Sequence, residues 1–298
     1  MLKNTKKVLV LALAFTLLIF NKTVKAEKFQ RKNSFVNAKG AERVAEIKRF
    51  QALNNIIVTG KLDKLTEDML NDPDYQRYDL VKNPPSKDRW IVVNKTKRIL
   101  TVYHGDVVEF KYPVALGTSK TPTPSAKATI TNMAKNPAWG GMNGKYQPRK
   151  ANDPLNPLGE RWMGLKIPGK SGYGIHGTIK PWQIGGYVSN GCIRMFNYDI
   201  ENYVFPRLKS GAPVWIGTDQ ELKEWGVLQY VDRISNNQSQ EKPEAVTEET
   251  SEEAKAQGQV QVEIVAEESK SQTEAEAKEI IENFVANPDS IIIPGKDM

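Results

Sequence analysis

The sequence predicts a mainly β protein, an irregular β-sandwich with a small N-terminal α-helical module before it and a disordered acidic tail after it. Three observations carry that reading. Between about Asp88 and Gly217, short runs of β-branched and aromatic residues alternate with turn signals. Ahead of them, Val44, Ile47 and Phe50 fall at helical spacing. From Arg233 onward the chain is rich in Glu, Gln, Ser, Thr and Ala, with few aromatics, so it cannot bury enough apolar area to offset its ordering entropy.

At the N-terminus, Lys3, Lys6 and Lys7 precede the apolar run Val8 to Phe20, and Val24-Lys25-Ala26 ends on the small residue that a signal peptidase favours. Residues 1–26 therefore read as a signal peptide, and the chain as exported to the periplasm or cell wall. The run of 13 residues is shorter than the roughly 20 needed to span a bilayer, which favours a cleaved signal over an anchor. Lys22 and Lys25 are poor residues near a cleavage site and keep an uncleaved anchor open.

Residues 34–75 form the helical module. Its core is Val44-Ala-Glu-Ile-Lys-Arg-Phe-Gln51, followed by the turn Val58-Thr-Gly-Lys-Leu-Asp63 and a second short helix at Leu65-Thr-Glu-Asp-Met-Leu70. Residues 76–88, which include Pro84-Pro85, read as a stiff linker.

The β region covers residues 89–218. Ile91 to Asn94, Ile99 to Tyr103, Val107 to Val114 and Ala128 to Asn132 read as strands, with His104-Gly105-Asp106 as a hairpin turn. His104 is thus a turn residue, and the chain shows no metal-binding spacing and calls for no cofactor. Met133 to Leu158, rich in Gly, Pro and Asn, reads as a lid or substrate wall. Asn197 to Leu208 reads as one helix, ended by Ser210-Gly211 before a strand at Val214 to Ile216. The acidic tail occupies residues 233–298, with a transient helix over Glu274 to Val285.

The formal charge of +7 hides an asymmetry: residues 233–298 carry 6 Lys and Arg against 15 Asp and Glu, and the rest of the chain 36 against 20. A basic body attracts anions, but its lysines are scattered, no nucleic-acid motif appears, and export removes that partner. An anionic wall or membrane surface, or simple solubility, accounts for the charge.

Cys192 is the only cysteine, and His176, sixteen positions earlier, is one of two histidines. A thiolate becomes a strong nucleophile at neutral pH when a base or positive charge lies close by. Both residues are flanked by glycine, in Gly174-Ile175-His176-Gly177 and Asn190-Gly191-Cys192, as suits sharp turns and close approach to a ligand. N–H groups around such a turn can converge on an oxyanion. A lone cysteine is also often a small buried hydrophobe, and the residues alone leave both readings open.

The stretch Tyr173-Gly-Ile-His-Gly-Thr178, followed by Ser189-Asn-Gly-Cys-Ile-Arg194, resembles the signature of the L,D-transpeptidase (YkuD-type) catalytic domain. So do Ile91-Val-Val-Asn94, Ile99-Leu-Thr-Val-Tyr103, Lys120-Thr-Pro-Thr-Pro124, Asn156-Pro-Leu-Gly-Glu-Arg-Trp-Met-Gly164 and Gly211-Ala-Pro-Val-Trp-Ile216. Two departures stand out: Asn190 where the family usually carries histidine, and Ser125-Ala126 where a glycine is common. The Phe-Gln and Thr-Gly-x-Leu-Asp patterns of the helical module are similar to a three-helix peptidoglycan-binding module.

The resemblance implies a cysteine-dependent acyltransferase in cell wall biogenesis. Its substrate would be a peptidoglycan stem tetrapeptide, with Cys192 as nucleophile, His176 as base and D-alanine as the leaving group. Gly191, Asn190, Ser189, Arg194, Gly177 and Tyr173 would form the oxyanion and substrate-binding surroundings. Arg194 would pair with a substrate carboxylate or make a structural salt bridge. Trimming of stem peptides by water and non-catalytic wall binding are the alternatives.

Overall fold

The computed structural model describes residues 26–27, 35 and 37–234. The expected signal peptide up to Lys25 and the tail beyond Ile234, with the transient helix read over Glu274 to Val285, lie outside the described residues. No helix among the described residues is long and apolar enough to cross a membrane.

Among the described residues thirteen strands follow one another: β1 (Ala26–Glu27), β2 (Tyr75–Val81), β3 (Arg89–Asn94), β4 (Ile99–His104), β5 (Val107–Pro113), β6 (Leu116–Gly117) and β7 (Ala126–Lys135). They continue with β8 (Arg161–Lys166), β9 (Gly174–His176), β10 (Tyr187–Ser189), β11 (Ile193–Arg194), β12 (Pro213–Gly217) and β13 (Val227–Arg233). Eight of them make one curled sheet in the order β11-β9-β8-β7-β12-β3-β4-β5, beside a three-stranded sheet β1-β2-β13 and the pair β10-β6.

Strand β3 shows why this is a sandwich. Its run Trp90-Ile-Val-Val93 is apolar throughout, and all four residues are buried. Period-2 alternation sends Ile91 and Val93 into one core with Leu100, Val102, Ile130, Met163 and Ile175. Trp90 and Val92 enter a second core with Tyr103, Trp215, Val81 of β2 and Val227 of β13. A strand buried on both faces reads as a continuous apolar run, as this one does. The first core is closed by Ile200, Val204 and Leu208.

Two expectations change. Residues 76–88 are not all linker, because Tyr75–Val81 is β2, paired over seven residues with β13. The polar residues that disguised it form a buried ionic seam: Asp79 bridges Arg77 at 3.0 Å and Lys111 at 2.7 Å. The helix read over Asn197 to Leu208 is three short pieces, an α turn (Asn197–Asp199), a π turn (Ile200–Val204) and a 3-10 turn (Phe205–Arg207). Pro206 in the last piece lacks an N–H and cannot continue an α ladder. The module contributes two helices among the described residues, α1 (Gly40–Leu53) and α2 (Lys64–Asn71).

Gln51, fully buried on α1, explains the module's motif. Its Nε2 donates to Thr59 Oγ1 at 2.8 Å and to the Lys61 carbonyl at 2.9 Å, while its Oε1 accepts from the N–H groups of Thr59 and Gly60 at 2.8 Å each. Asp63 then caps α2 by accepting from Thr66 N at 3.0 Å. Phe-Gln and Thr-Gly-x-Leu-Asp are thus the parts of one helix-turn-helix clasp. The module also packs on the β body, with Ala52 and Val58 against Ile99 and Arg49 bridging Asp199 at 3.0 Å.

Candidate active site

Strand β9 lies between β8 and β11 and carries His176, which is 3% exposed. Strand β11 runs parallel to it, with Ile193 opposite Ile175 and Arg194 opposite His176. That register brings Cys192, one residue before β11, to the level of Gly174. Two residues distant in sequence reach the same wall because parallel strands share a direction.

The cysteine turn is held from both sides. Ser189 Oγ accepts from Gly191 N at 3.0 Å and donates to the Cys192 carbonyl at 2.6 Å. The Ser189 carbonyl accepts from Thr121 Oγ1 at 3.0 Å and Thr118 N at 3.1 Å. Thr123 Oγ1 donates to the Gly191 carbonyl and accepts from Gly117 N, both at 2.9 Å. Gly191 has φ +111°, and a Cβ there would lie 2.7 Å from Tyr173 Cε1. Glycine is therefore required by backbone angle and by Tyr173 together.

The His176 ring is fixed as firmly. Its Nδ1 lies 2.7 Å from the Gly177 carbonyl; a carbonyl only accepts, so this bond places the proton on Nδ1 and leaves Nε2 as acceptor. Trp162 stacks on the ring with centroids 5.9 Å apart. Burial, and then the Arg194 charge, push His176 down to about 4, so the imidazole is neutral at neutral pH. Burial pushes the Cys192 thiol up, against a backbone hydrogen bond at Gly174 and the Arg194 charge, which favour the thiolate. The thiol donates to the Gly172 carbonyl at 3.5 Å. The resting pair is thus neutral thiol and neutral imidazole.

Both side chains line a cleft of about 790 Å³ whose walls include Trp139, Met142, Tyr146, Leu155, Gln183 and Asn190. Its charged lining residues are Arg149, Lys180 and Arg194, all cationic. Arg194 Nη1 donates to Gln183 Oε1 at 3.0 Å, and its buried Nε has no hydrogen-bond partner. A neutral partner does not balance a guanidinium removed from water, so the cleft favours an anionic ligand.

The family model for the L,D-transpeptidase catalytic domain, YkuD, matches residues 88–216. YqjB of Bacillus subtilis is 37% identical over 147 residues, which is 49% of this chain and 80% of that protein. The chain belongs to the YkuD L,D-transpeptidase family. YkuD of Bacillus licheniformis is 37% identical over 120 residues, covering 40% of this chain and 61% of that protein. Among solved structures, the catalytic domain of the Enterococcus faecium L,D-transpeptidase is 23% identical, with TM-score 0.35, over 45% of this chain and 99% of that one.

Within this L,D-transpeptidase domain, Cys192, His176, Ser189, Asn190 and Arg194 all line the one cleft. Tyr173 packs against Gly191, within the cysteine turn. Gly177 is a packing residue, since a Cβ on it would lie 2.2 Å from Asn197 Oδ1, which accepts from Thr178 N at 2.7 Å. Asn190, in the place of the family histidine, is exposed and donates to Met142 Sδ at 3.8 Å. Sequence reasoning missed the roles of Thr121, Thr123, Trp162 and Gln183. The first two lay within the Thr-Pro match, but nothing local shows that their hydroxyls reach the cysteine turn 68 residues away.

Proposed function

We propose that this protein is an L,D-transpeptidase that forms peptidoglycan cross-links through an acyl-enzyme on Cys192. The observation that carries the proposal is the parallel β9-β11 pairing, which puts the chain's one thiol and a neutral imidazole on the same cleft wall. As substrate enters, His176 takes the thiol proton while Cys192 Sγ attacks the carbonyl preceding the terminal D-alanine of a stem tetrapeptide. The tetrahedral intermediate collapses to a thioester, and D-alanine leaves with the proton returned by the imidazolium. An amine of a second stem then attacks the thioester, closing the cross-link and regenerating the thiol.

The Gly191 N–H is already committed to Ser189, so the N–H of Cys192 is the turn's donor for the oxyanion in this reading. The cationic lining suits the carboxylates of a stem peptide. Export through residues 1–26 and wall attachment through the N-terminal module complete the proposal, placing the enzyme outside the cytoplasm beside its substrate.

Intact-protein mass spectrometry after incubation with a carbapenem, and then with a stem tetrapeptide, tests it. A covalent adduct on wild type, absent in Cys192→Ser, supports the acyl-enzyme. A folded, reduced protein that never acylates rejects it. Masses of the released muropeptides tell amine from water as acceptor.

A further inference from the structure

Helix α1 reaches the cleft through a short chain of contacts. Lys48 on α1 is buried, and its Nζ donates to the Trp182 carbonyl at 3.0 Å. Trp182 belongs to a 3-10 turn, Pro181–Gln183. The next residue, Gln183, lines the cleft and accepts from Arg194 Nη1 at 3.0 Å. Arg194 stands opposite His176 in the β9-β11 register and two residues beyond Cys192.

The turn is gripped elsewhere by the same module. A Cβ on Gly185 would lie 2.9 Å from Val58 Cγ1 and 3.6 Å from Lys48 Cε. Gly185 N donates to the Val114 carbonyl at 3.1 Å, which ties the loop to the β body. Ile184 is buried with Ala115 and Phe196, and Ala45 of α1 packs against that cluster. An ammonium removed from water and set against a carbonyl is a costly way to fill space. Its position makes sense as a fixed strut between the helix and the loop.

We propose that Lys48 is a positioning residue of the active site. Acting through the Trp182 carbonyl and Gln183, it sets where the Arg194 guanidinium stands beside the Cys192 thiol and the His176 ring. The helical module is then a brace for the cleft, whatever it binds in addition. The roles given to Cys192 and His176 rest on the proposed function, so the test reads thiol chemistry directly.

The experiment measures the rate of Cys192 alkylation by iodoacetamide against pH for the full chain, in wild type, Lys48→Met, Gln183→Leu, the double variant and Lys48→Arg. Freeing Arg194 removes the charge that favours the thiolate, so the midpoint rises in Lys48→Met and Gln183→Leu. The expected rise is at least about half a pH unit, or about a threefold loss of rate below the midpoint. The double variant shifts no further than Gln183→Leu, and Lys48→Arg, which keeps a donor, moves back toward wild type. Superimposable profiles would overturn the proposal. A shift in Gln183→Leu but not in folded Lys48→Met would overturn the link to α1. Normal alkylation shifts with no acylation by a stem peptide would leave the brace standing and reject the transpeptidase reading.

Discussion

The indole of Trp162 lies over the imidazole of His176, its plane turned by 27° and its centroid 5.9 Å away. Gly174 permits this cover, because a Cβ there would stand 2.4 Å from Trp162 Cη2. Gly174→Ala therefore displaces the ring, at a cost of about 1–3 kcal/mol for overpacking. With its cover shifted, His176 regains water and its pKa rises toward the ordinary histidine value. An NMR titration of the His176 ring in the variant measures that rise, and an unmoved titration would remove Trp162 from the account.

His176 makes stability depend on acid. Its native pKa of about 4 lies below the ordinary histidine value of 6.5, so between these values the native state binds fewer protons than the unfolded chain. The neutral ring's contribution is fully present above about pH 6.5 and is lost as pH falls toward 4, up to about 3 kcal/mol. Urea midpoints at pH 7 and pH 4.5 should separate widely in wild type and less in His176→Gln.

Ser189 joins both ends of the cysteine turn through one hydroxyl. Ser189→Ala releases the Gly191 N–H and the Cys192 carbonyl, letting the thiol and the Cys192 N–H drift. Loss of one hydrogen bond's worth of positioning, about 1.4 kcal/mol, is about a tenfold drop in acylation rate. Stopped-flow acylation by a carbapenem reads this, with circular dichroism showing the fold retained.

Asp79 answers two buried cations, Lys111 at 2.7 Å and Arg77 at 3.0 Å. Asp79→Asn leaves both without that carboxylate, and breaking a buried pair costs about 3–5 kcal/mol. The seam joins β2 to the main sheet, so urea unfolding should show a large loss of stability. Asp79→Asn equal to wild type would mean that the seam contributes little.

Much of the architecture could be read from short-range pattern. Ile91 to Asn94, Ile99 to Tyr103 and Val107 to Val114 announced strands because β-branched and aromatic runs fit a pleated sheet. The capping box of Thr218 and Glu221 starts a further helix, Asp219–Glu224, and β13 follows it. Neither was expected, since six residues are too few to show a period and β13 mixes Gln229, Tyr230 and Asp232 into its run.

The site divides in the same way. Sequence by itself singled out Cys192, His176 and their glycine-flanked turns, because residue chemistry and local spacing are written in the chain. Tertiary structure alone decided that Arg194 faces His176, that Thr121 and Thr123 hold the cysteine turn, and that Lys48 reaches the cleft loop 134 residues away. It also decided that the charged side chains of Arg77 and Asp79 are buried, and that His176 is neutral. The physical reason is that burial and long-range hydrogen bonds depend on which strands meet, and no window of sequence contains both partners.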